Sequence, residues 1–354
     1  MNVGQVQLKT PFALAPMAGM TDTAFRRLVK GKGGCGLVVT EMVSSEGLVR
    51  GIDRTLEYAE YTEEERPVSI QIFGGDPIKM AAAAQVVEGM GADIVDVNMG
   101  CPVRKIAKHN AGCSLMKDPR HAASVVRSMT QAVRIPVTVK MRAGWDEQAI
   151  NAPEMAQRLE EAGAAALAVH GRTAAQSYRG ESDWGLIDEA ATAVTIPVFG
   201  SGDCVTASQV VARSTNSRVA GVLIGRGALR NPWIFKQAAA LAGGRCVGEV
   251  SRTDRAQFLL DYIDLLLREG IDETAGFRHA MSQASSRSVS TRHAKGRERW
   301  VVNKIRALGT WYLKGLHGGS QLRVAINHAE STAELRDLIC DFFLEPKPAA
   351  FTPS

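Results

Sequence analysis

Residues 94–102 read IVDVNMGCP and residues 137–144 read VTVKMRAG. Each opens as a β-branched, apolar run broken by single polar residues and closes on glycine. Such a run, bounded by Gly or Pro, suits a parallel strand buried on both faces. Working outward, six more runs share the pattern: FALAPMAG from Phe12, LVVTEM from Leu37, VSIQIFG from Val68, ALAVHGRT from Ala166, PVFGSGD from Pro197 and GVLIGRG from Gly221. Between them lie Ala-rich, charged stretches of helical periodicity, such as residues 77–90 and 153–162. The pairs Gly91-Ala92 and Gly163-Ala164 stand where a helix should end. Eight strand–helix alternations of roughly 25 to 40 residues predict an α/β chain with a closed (β/α)8 TIM barrel over residues 1–244. An open doubly wound sheet is the alternative. Two features oppose it: the first turn, APMAGMTD, is not GxGxxG, and polar residues gather at the ends of nearly all strands, not at one switch point.

The pattern stops near Gly243. Residues 251–268 carry an apolar helical face (Phe258, Leu259, Tyr262, Ile263, Leu266), and no strand signal follows. Residues 245–345 therefore read as a smaller all-helical domain, with a Pro-bearing tail at 346–354. From Arg278 to Ala329 the chain holds ten Lys or Arg and one acidic residue, Glu298. A solvated helix face usually mixes signs, so this imbalance points to a polyanion surface rather than to solubility alone. Trp300, Trp311 and Tyr312 are interleaved with it; each taken singly reads as core. Net charge is only +5. The six cysteines form no CxxC pair and no Cys/His cluster, so neither zinc nor a disulfide framework is expected, and a reducing cytoplasm is the simplest compartment. No apolar run approaches membrane-spanning length, and MNVGQVQLKT has no leader-like apolar core.

In a β/α barrel the loops after the strands build the site. The first strand ends in Ala15-Pro16-Met17-Ala18-Gly19, small and apolar, which suits a flat ring or a tight turn alone. Gln71 and Asn98 are amides in apolar strands and need partners, internal or from a ligand. Lys140, Arg142, His170 and Arg172 end two adjacent strands and are hard to bury without anions. Ser201-Gly202-Asp203 and Gly225-Arg226 follow the last two strands, where barrels commonly hold phosphate. Flavin mononucleotide fits this set, with phosphate at the last two loops and Lys140 beside the charge of the reduced ring. Cys101 lies in a loop at the same face beside Asn98. It reads as a small core residue or as a general acid.

APMAGMTD, TEM, QIFGGDP, DVNMGCP, VKMRAGW, HGRT and GRGAL, in this order, resemble the tRNA-dihydrouridine synthase family, most closely its B-type bacterial subfamily. The resemblance spans residues 11–235 and continues in NKIRALGTWYLKG and LRVAIN. It implies reduction of the C5–C6 bond of uridines in tRNA, with NADPH or NADH reducing FMN. Hydride would pass from flavin N5 to C6, and Cys101 would give a proton to C5. It also implies that Pro16, Met17 and Ala18 line the flavin, that Gln71 and Lys140 contact its ring, and that His170 lies toward its phosphate. Ser201, Gly202, Asp203, Gly225 and Arg226 would hold ribityl and phosphate. Asn98 and Arg142 would bind the target uracil, and Arg172 is grouped with the substrate contacts. A monomer is expected. The chain departs from the family at Ser201, where Asn is common, and at Ala307 and Leu308, where Lys-His is frequent. The polar basic stretch 282–299 has no assigned role. Two other readings stay open: an FMN barrel reducing a small enoate or dihydroorotate-like molecule, and a tRNA-binding protein without catalysis.

Overall fold

The computed structural model describes residues 1–107, 110–269, 274, 276–280 and 291–344, and of Arg54, Arg104 and residues 291–295 the backbone alone. The eight apolar runs form eight parallel strands: β1 (Phe12–Leu14), β2 (Leu37–Val39), β3 (Val68–Phe73), β4 (Ile94–Met99), β5 (Val137–Arg142), β6 (Ala166–His170), β7 (Val198–Ser201) and β8 (Gly221–Ile224). Each pairs with its neighbour in chain order, and β8 pairs back onto β1 through Leu223 and Ala13, so the sheet closes. The barrel expected from the alternation is the fold observed.

The helices between strands start and stop for local reasons. Asp76 caps helix Pro77–Gly89 by accepting from the Ile78 and Lys79 N–H groups, with proline in the first turn. Helix Ala152–Glu161 is followed by Gly163 at φ +95°, a backbone that L side chains avoid, and a Cβ there would press on Thr130.

Side chains alternate along each strand, so every second residue points into the barrel. Ala13, Leu37, Ile94, Ala166, Phe199 and Leu223 pack together inside it near the strand starts. Val3 of a two-stranded N-terminal hairpin (Asn2–Val3 with Val6–Gln7) and Leu8, just after it, join the same cluster. This apolar plug leaves the later inward positions for polar side chains: Gln71 on β3, Asp96 and Asn98 on β4, Lys140 and Arg142 on β5, and His170 on β6.

By contacts the chain divides into two compact units, Met1–Val247 with Glu273–Ala284, and Gly248–Asp272 with Ser285–Ser354. The strand Arg278–His279 pairs antiparallel with Tyr61–Thr62 of the barrel unit. The sequence gives no strand signal there, because two residues carry no readable period. Arg278, counted with the basic surface, instead faces Glu60 at 3.5 Å.

The second unit contains helices Arg252–Arg268, Thr291–Tyr312, Gly319–His328 and Thr332–Phe343. Phe258 and Tyr312 stack at 5.6 Å in its core beside Ile263, Ile305 and Leu308. Leu308 thus packs where a basic contact is frequent in the family. Two of its arginines satisfy helix C-termini. Arg297 donates to the Leu266 and Glu269 carbonyls at 2.8 and 3.1 Å, and Arg306 to the Ala329 carbonyl at 2.8 Å. Arg299, Lys314 and Arg323 are exposed, and Trp300 is 38% exposed with the Arg297 and Lys304 cations about its ring. Residues 282–290 of the polar stretch, the side chains of Arg292 and Lys295, and the tail from 345 lie outside the described residues. No helix among the described residues is long and apolar enough to cross a membrane. No group of three His, Cys, Asp or Glu side chains among them is placed to hold a metal ion.

Candidate active site

Every residue singled out at a strand end stands at the C-terminal mouth of the barrel. They divide into an amide-and-thiol side and a charged side.

On the first side, parallel register sets Gln71 of β3 beside Asp96 of β4, Asp96 beside Thr138 of β5, and Asn98 beside Lys140. Asp96 accepts from Gln71 Nε2 and from the Thr138 hydroxyl, both at 2.6 Å. Gln71 Oε1 accepts from Asn98 Nδ2 at 2.7 Å. Asn98 Oδ1 in turn accepts from the backbone N–H groups of Gly100 (3.2 Å) and Cys101 (2.9 Å). The Cys101 loop is held at two further points: Arg142 Nε donates to the Gly100 carbonyl at 2.7 Å, and Cys113 N–H donates to the Cys101 carbonyl at 3.1 Å. Cys101 is half-buried and reduced. Burial pushes the Asp96 carboxyl up to about 6, against the hydrogen bonds from Gln71 and Thr138 and the nearby Lys140 charge.

Lys140 makes no ion pair or hydrogen bond among the described residues. Burial first, and Arg142 second, bring its ammonium down to about 8. It lines one cavity inside the barrel together with Pro16, Ser69, Asp96 and Thr138. Of the turn after β1, Pro16 lines this cavity; Pro16 and Met17 are half-buried and Ala18 is exposed.

On the charged side, Arg142 is buried, and Nη1 donates to the carbonyls of Thr173 (3.0 Å) and Ser177 (2.9 Å). With Nε on Gly100, its Nη2 alone is left for a ligand. Arg172 uses four of its five N–H groups: Nε on the Arg179 carbonyl at 3.1 Å, Nη2 on Gly180 and Asp203, and Nη1 on His170 Nε2 at 3.4 Å. A guanidinium can only donate, so His170 Nε2 accepts and Nδ1 carries the ring proton. Burial, reinforced by Lys140 and the three arginines, holds His170 down at about 2, so it is a neutral donor.

Asp203 bridges Arg172 (2.8 Å) and Arg226 (2.9 Å) and accepts from the Ser182 N–H at 2.7 Å. Burial opposes its ionisation, but Ser182 and Arg172 outweigh that and hold the carboxyl below its usual range. Gly202 is at φ +135°, and a Cβ there would strike the Ser182 hydroxyl. Ser201 is buried beside them. Gly225 precedes the short helix Arg226–Arg230.

The sequence suggested that four strand-end cations need an anionic ligand. The structure narrows this, since His170 is neutral and Arg172 has Asp203. Among the described residues around the mouth, the cations Lys140, Arg142, Arg172 and Arg226 stand with three carboxylates, Asp96, Asp203 and Glu41, the last of which accepts from the Gly19 N–H. Four contributors went unrecognised in the sequence. Asp96 and Thr138 sit inside apolar runs and acquire partners only through strand register. Ser182 lies in a loop. Tyr178 is 64% exposed, with the Arg142 and Arg226 guanidinium groups 5.9 and 5.3 Å from its ring centre.

A family model described as Dihydrouridine synthase (Dus) matches residues 13–345. The chain is 40% identical over 269 residues to a "Probable tRNA-dihydrouridine synthase" of Rhodobacter capsulatus, covering 75% of this chain and 82% of that one. It is 34% identical over 351 residues to "tRNA-dihydrouridine synthase B" of Pseudomonas putida, covering 99% and 96%. Among solved structures, the 6-hydroxypseudooxynicotine amine oxidase of Pseudomonas geniculata N1 shares the barrel at TM-score 0.53 and 14% identity, over 74% of this chain and 52% of that one. The chain belongs to the dihydrouridine synthase family.

Proposed function

We propose that this protein is a flavin-dependent tRNA-dihydrouridine synthase that binds FMN, takes its electrons from NADPH or NADH, and works as a monomer in the cytoplasm. One observation carries the reading: in a chain of this family, the Cys101 loop is held at the barrel mouth by Asn98, and Lys140 stands near it, forming no salt bridge among the described residues.

The donor set fits FMN. At the last two loops Arg172 and Arg226 against Asp203 leave one net positive charge, which suits a phosphate monoester. His170 and the loop backbones add neutral donors. Pro16, Met17 and Ala18 would line the ring, and Gln71 and Lys140 would hold its polar edge. His170, Ser201, Gly202, Gly225 and Arg226 would hold the ribityl chain and phosphate, with Asp203 aiming Arg226. Bound there, FMN supplies hydride for the uracil ring.

The remaining work falls to the chain itself. Asn98 and Arg142 Nη2 would donate to uracil carbonyls, drawing electron density out of the C5–C6 bond. Cys101 then delivers its thiol proton to C5 as hydride reaches C6, completing the 5,6-dihydro product. Four of the five Arg172 N–H groups are taken by the protein, and we assign it to orienting Asp203 and His170. The target uridine must leave its stack to reach the mouth. The exposed cations of the second unit would grip the tRNA backbone.

The test is nucleoside mass spectrometry on unmodified tRNA incubated with purified protein, FMN and NADPH. A uridine heavier by two hydrogens is expected. Protein that holds FMN and oxidises NADPH yet leaves every uridine unchanged would overturn the reading in favour of a small-molecule reductase.

A further inference from the structure

We infer that Asp96 is a positioning residue: it sets the direction of a hydrogen-bond chain that orients Gln71, Asn98 and the Cys101 loop. The chain is continuous from Asp96 through the Gln71 amide and the Asn98 amide to the Cys101 N–H, with links of 2.6, 2.7 and 2.9 Å.

A carboxamide can present either end to a neighbour, so two linked amides have two self-consistent orientations. The ends of the chain select one. An ionised carboxylate can only accept, so Gln71 must turn Nε2 toward Asp96 and Oε1 toward Asn98. A backbone N–H can only donate, so Asn98 must turn Oδ1 toward Cys101. The two constraints agree, and each fixes the other amide through the middle link. Both amides are buried, at 1% and 7% exposure, so a reversed amide would strand a donor against a donor with no water to relieve it.

Two consequences reach the reaction. The second N–H of each amide is committed to point away from the chain: Gln71 keeps a donor for whatever occupies the mouth, and the second Asn98 N–H meets only the weak acceptor Met42 Sδ at 3.7 Å, which a ligand carbonyl would displace. The loop carrying Cys101 is hung from Asn98 Oδ1, which would detach if the amide turned. Thr138 contributes at the far end by donating its hydroxyl to the other carboxylate oxygen at 2.6 Å, which holds Asp96 in its rotamer.

The experiment compares Asp96→Leu, Asp96→Asn and the double variant Asp96→Asn with Thr138→Val. Two readouts are taken: turnover on unmodified tRNA with FMN and NADPH, and the peptide-resolved rate at which iodoacetamide alkylates Cys101 in flavin-free protein. The turnover readout rests on the synthase reading; the alkylation readout does not. Asp96→Leu removes the acceptor, and kcat should fall at least about tenfold with KM for tRNA within about twofold. Asp96→Asn should recover to within about fivefold of wild type, because its oxygen still accepts from Gln71 while its amide turns to the Thr138 hydroxyl. The double variant removes that anchor and should fall to the level of Asp96→Leu, which keeps the test decisive if the leucine variant does not fold. The Cys101 alkylation rate should depart from wild type in the leucine and double variants and match it in Asp96→Asn. Wild-type kcat and alkylation in the double variant would overturn the inference. So would an Asp96→Asn variant as impaired as Asp96→Leu, which would place the role in the negative charge. A wild-type protein that makes no dihydrouridine would sink the synthase reading while leaving the alkylation arm to decide the chain.

Discussion

Asp203 is the residue whose replacement should be felt most widely, and Asp203→Asn isolates why. The residue sits at φ +54°, a left-handed backbone that asparagine adopts as readily as aspartate, so the substitution adds no backbone strain. An asparagine oxygen can still accept from the Ser182 N–H. What disappears is the charge facing Arg172 and Arg226. Arg172 is 2% exposed, and stranding a buried partner costs about 3–5 kcal/mol. Asp203 itself is 33% exposed, so water screens part of the pair, and about 2–3 kcal/mol is the reasoned value. For a barrel of this size that lowers Tm by about 5–10 °C. The assay is thermal unfolding of flavin-free protein followed by circular dichroism, which removes any contribution from lost cofactor. Asp203→Ala should melt lower still, by about 1 kcal/mol, because alanine also pays the left-handed strain. An Asp203→Asn protein melting within about 1 °C of wild type would refute the argument. So would equal melting of the Asn and Ala variants, which would show that neither charge nor backbone matters there.

Other outcomes follow from the same geometry. Cys101→Ala should keep flavin bound, seen in its absorption spectrum, while turnover drops by about 10²–10⁴-fold; loss of flavin would count against the proton-donor role. His170 has a folded pKa near 2 against an unfolded value of 6.5. Below 6.5 the unfolded chain therefore takes up a proton that the folded one refuses, and stability falls as pH drops, by about 1.4 kcal/mol per unit. His170→Gln should lose less Tm than wild type between pH 7 and pH 5, and parallel curves would contradict this. Lys140 should become acylated by acetic anhydride with a midpoint near pH 8 in flavin-free protein, read by peptide mass spectrometry. A midpoint near the ordinary lysine value of about 10.4 would mean that burial does not act on it.

The strands were legible because a parallel strand buried on both faces has little choice but Val, Ile, Leu and small residues, and the eight runs begin where β1 to β8 begin, to within a residue at β7. The strand-end polar residues stood out for the same reason, against an apolar background. Asp96 did not. It sits in mid-run, and its partners Gln71 and Thr138 are 25 and 42 residues away in sequence, joined only by register. The basic segment was read more coarsely than the structure resolves it. Counting charges cannot tell an arginine that caps a helix, as Arg297 and Arg306 do, from one that faces solvent, as Arg299 does. Tyr178 gave no signal, since an exposed aromatic in a loop has meaning only beside the arginines that approach it.

The way the Cys101 loop is held bears on what the thiol can do. A general acid must be fixed in place yet free to release its proton, and a hydrogen bond accepted from Sγ–H by a protein group would compete with the substrate carbon. The structure meets both demands by gripping only backbone. Asn98 takes the Gly100 and Cys101 N–H groups, Arg142 takes the Gly100 carbonyl, and Cys113 N–H takes the Cys101 carbonyl. No hydrogen bond among the described residues engages Sγ. The loop's main chain is thus anchored at four atoms while its one reactive atom is left to the ligand, and Asn98 and Arg142, which do the anchoring, are the same side chains whose spare N–H groups would hold uracil. Positioning of acid and substrate therefore draws on one set of contacts, so a substitution at either residue should disturb both.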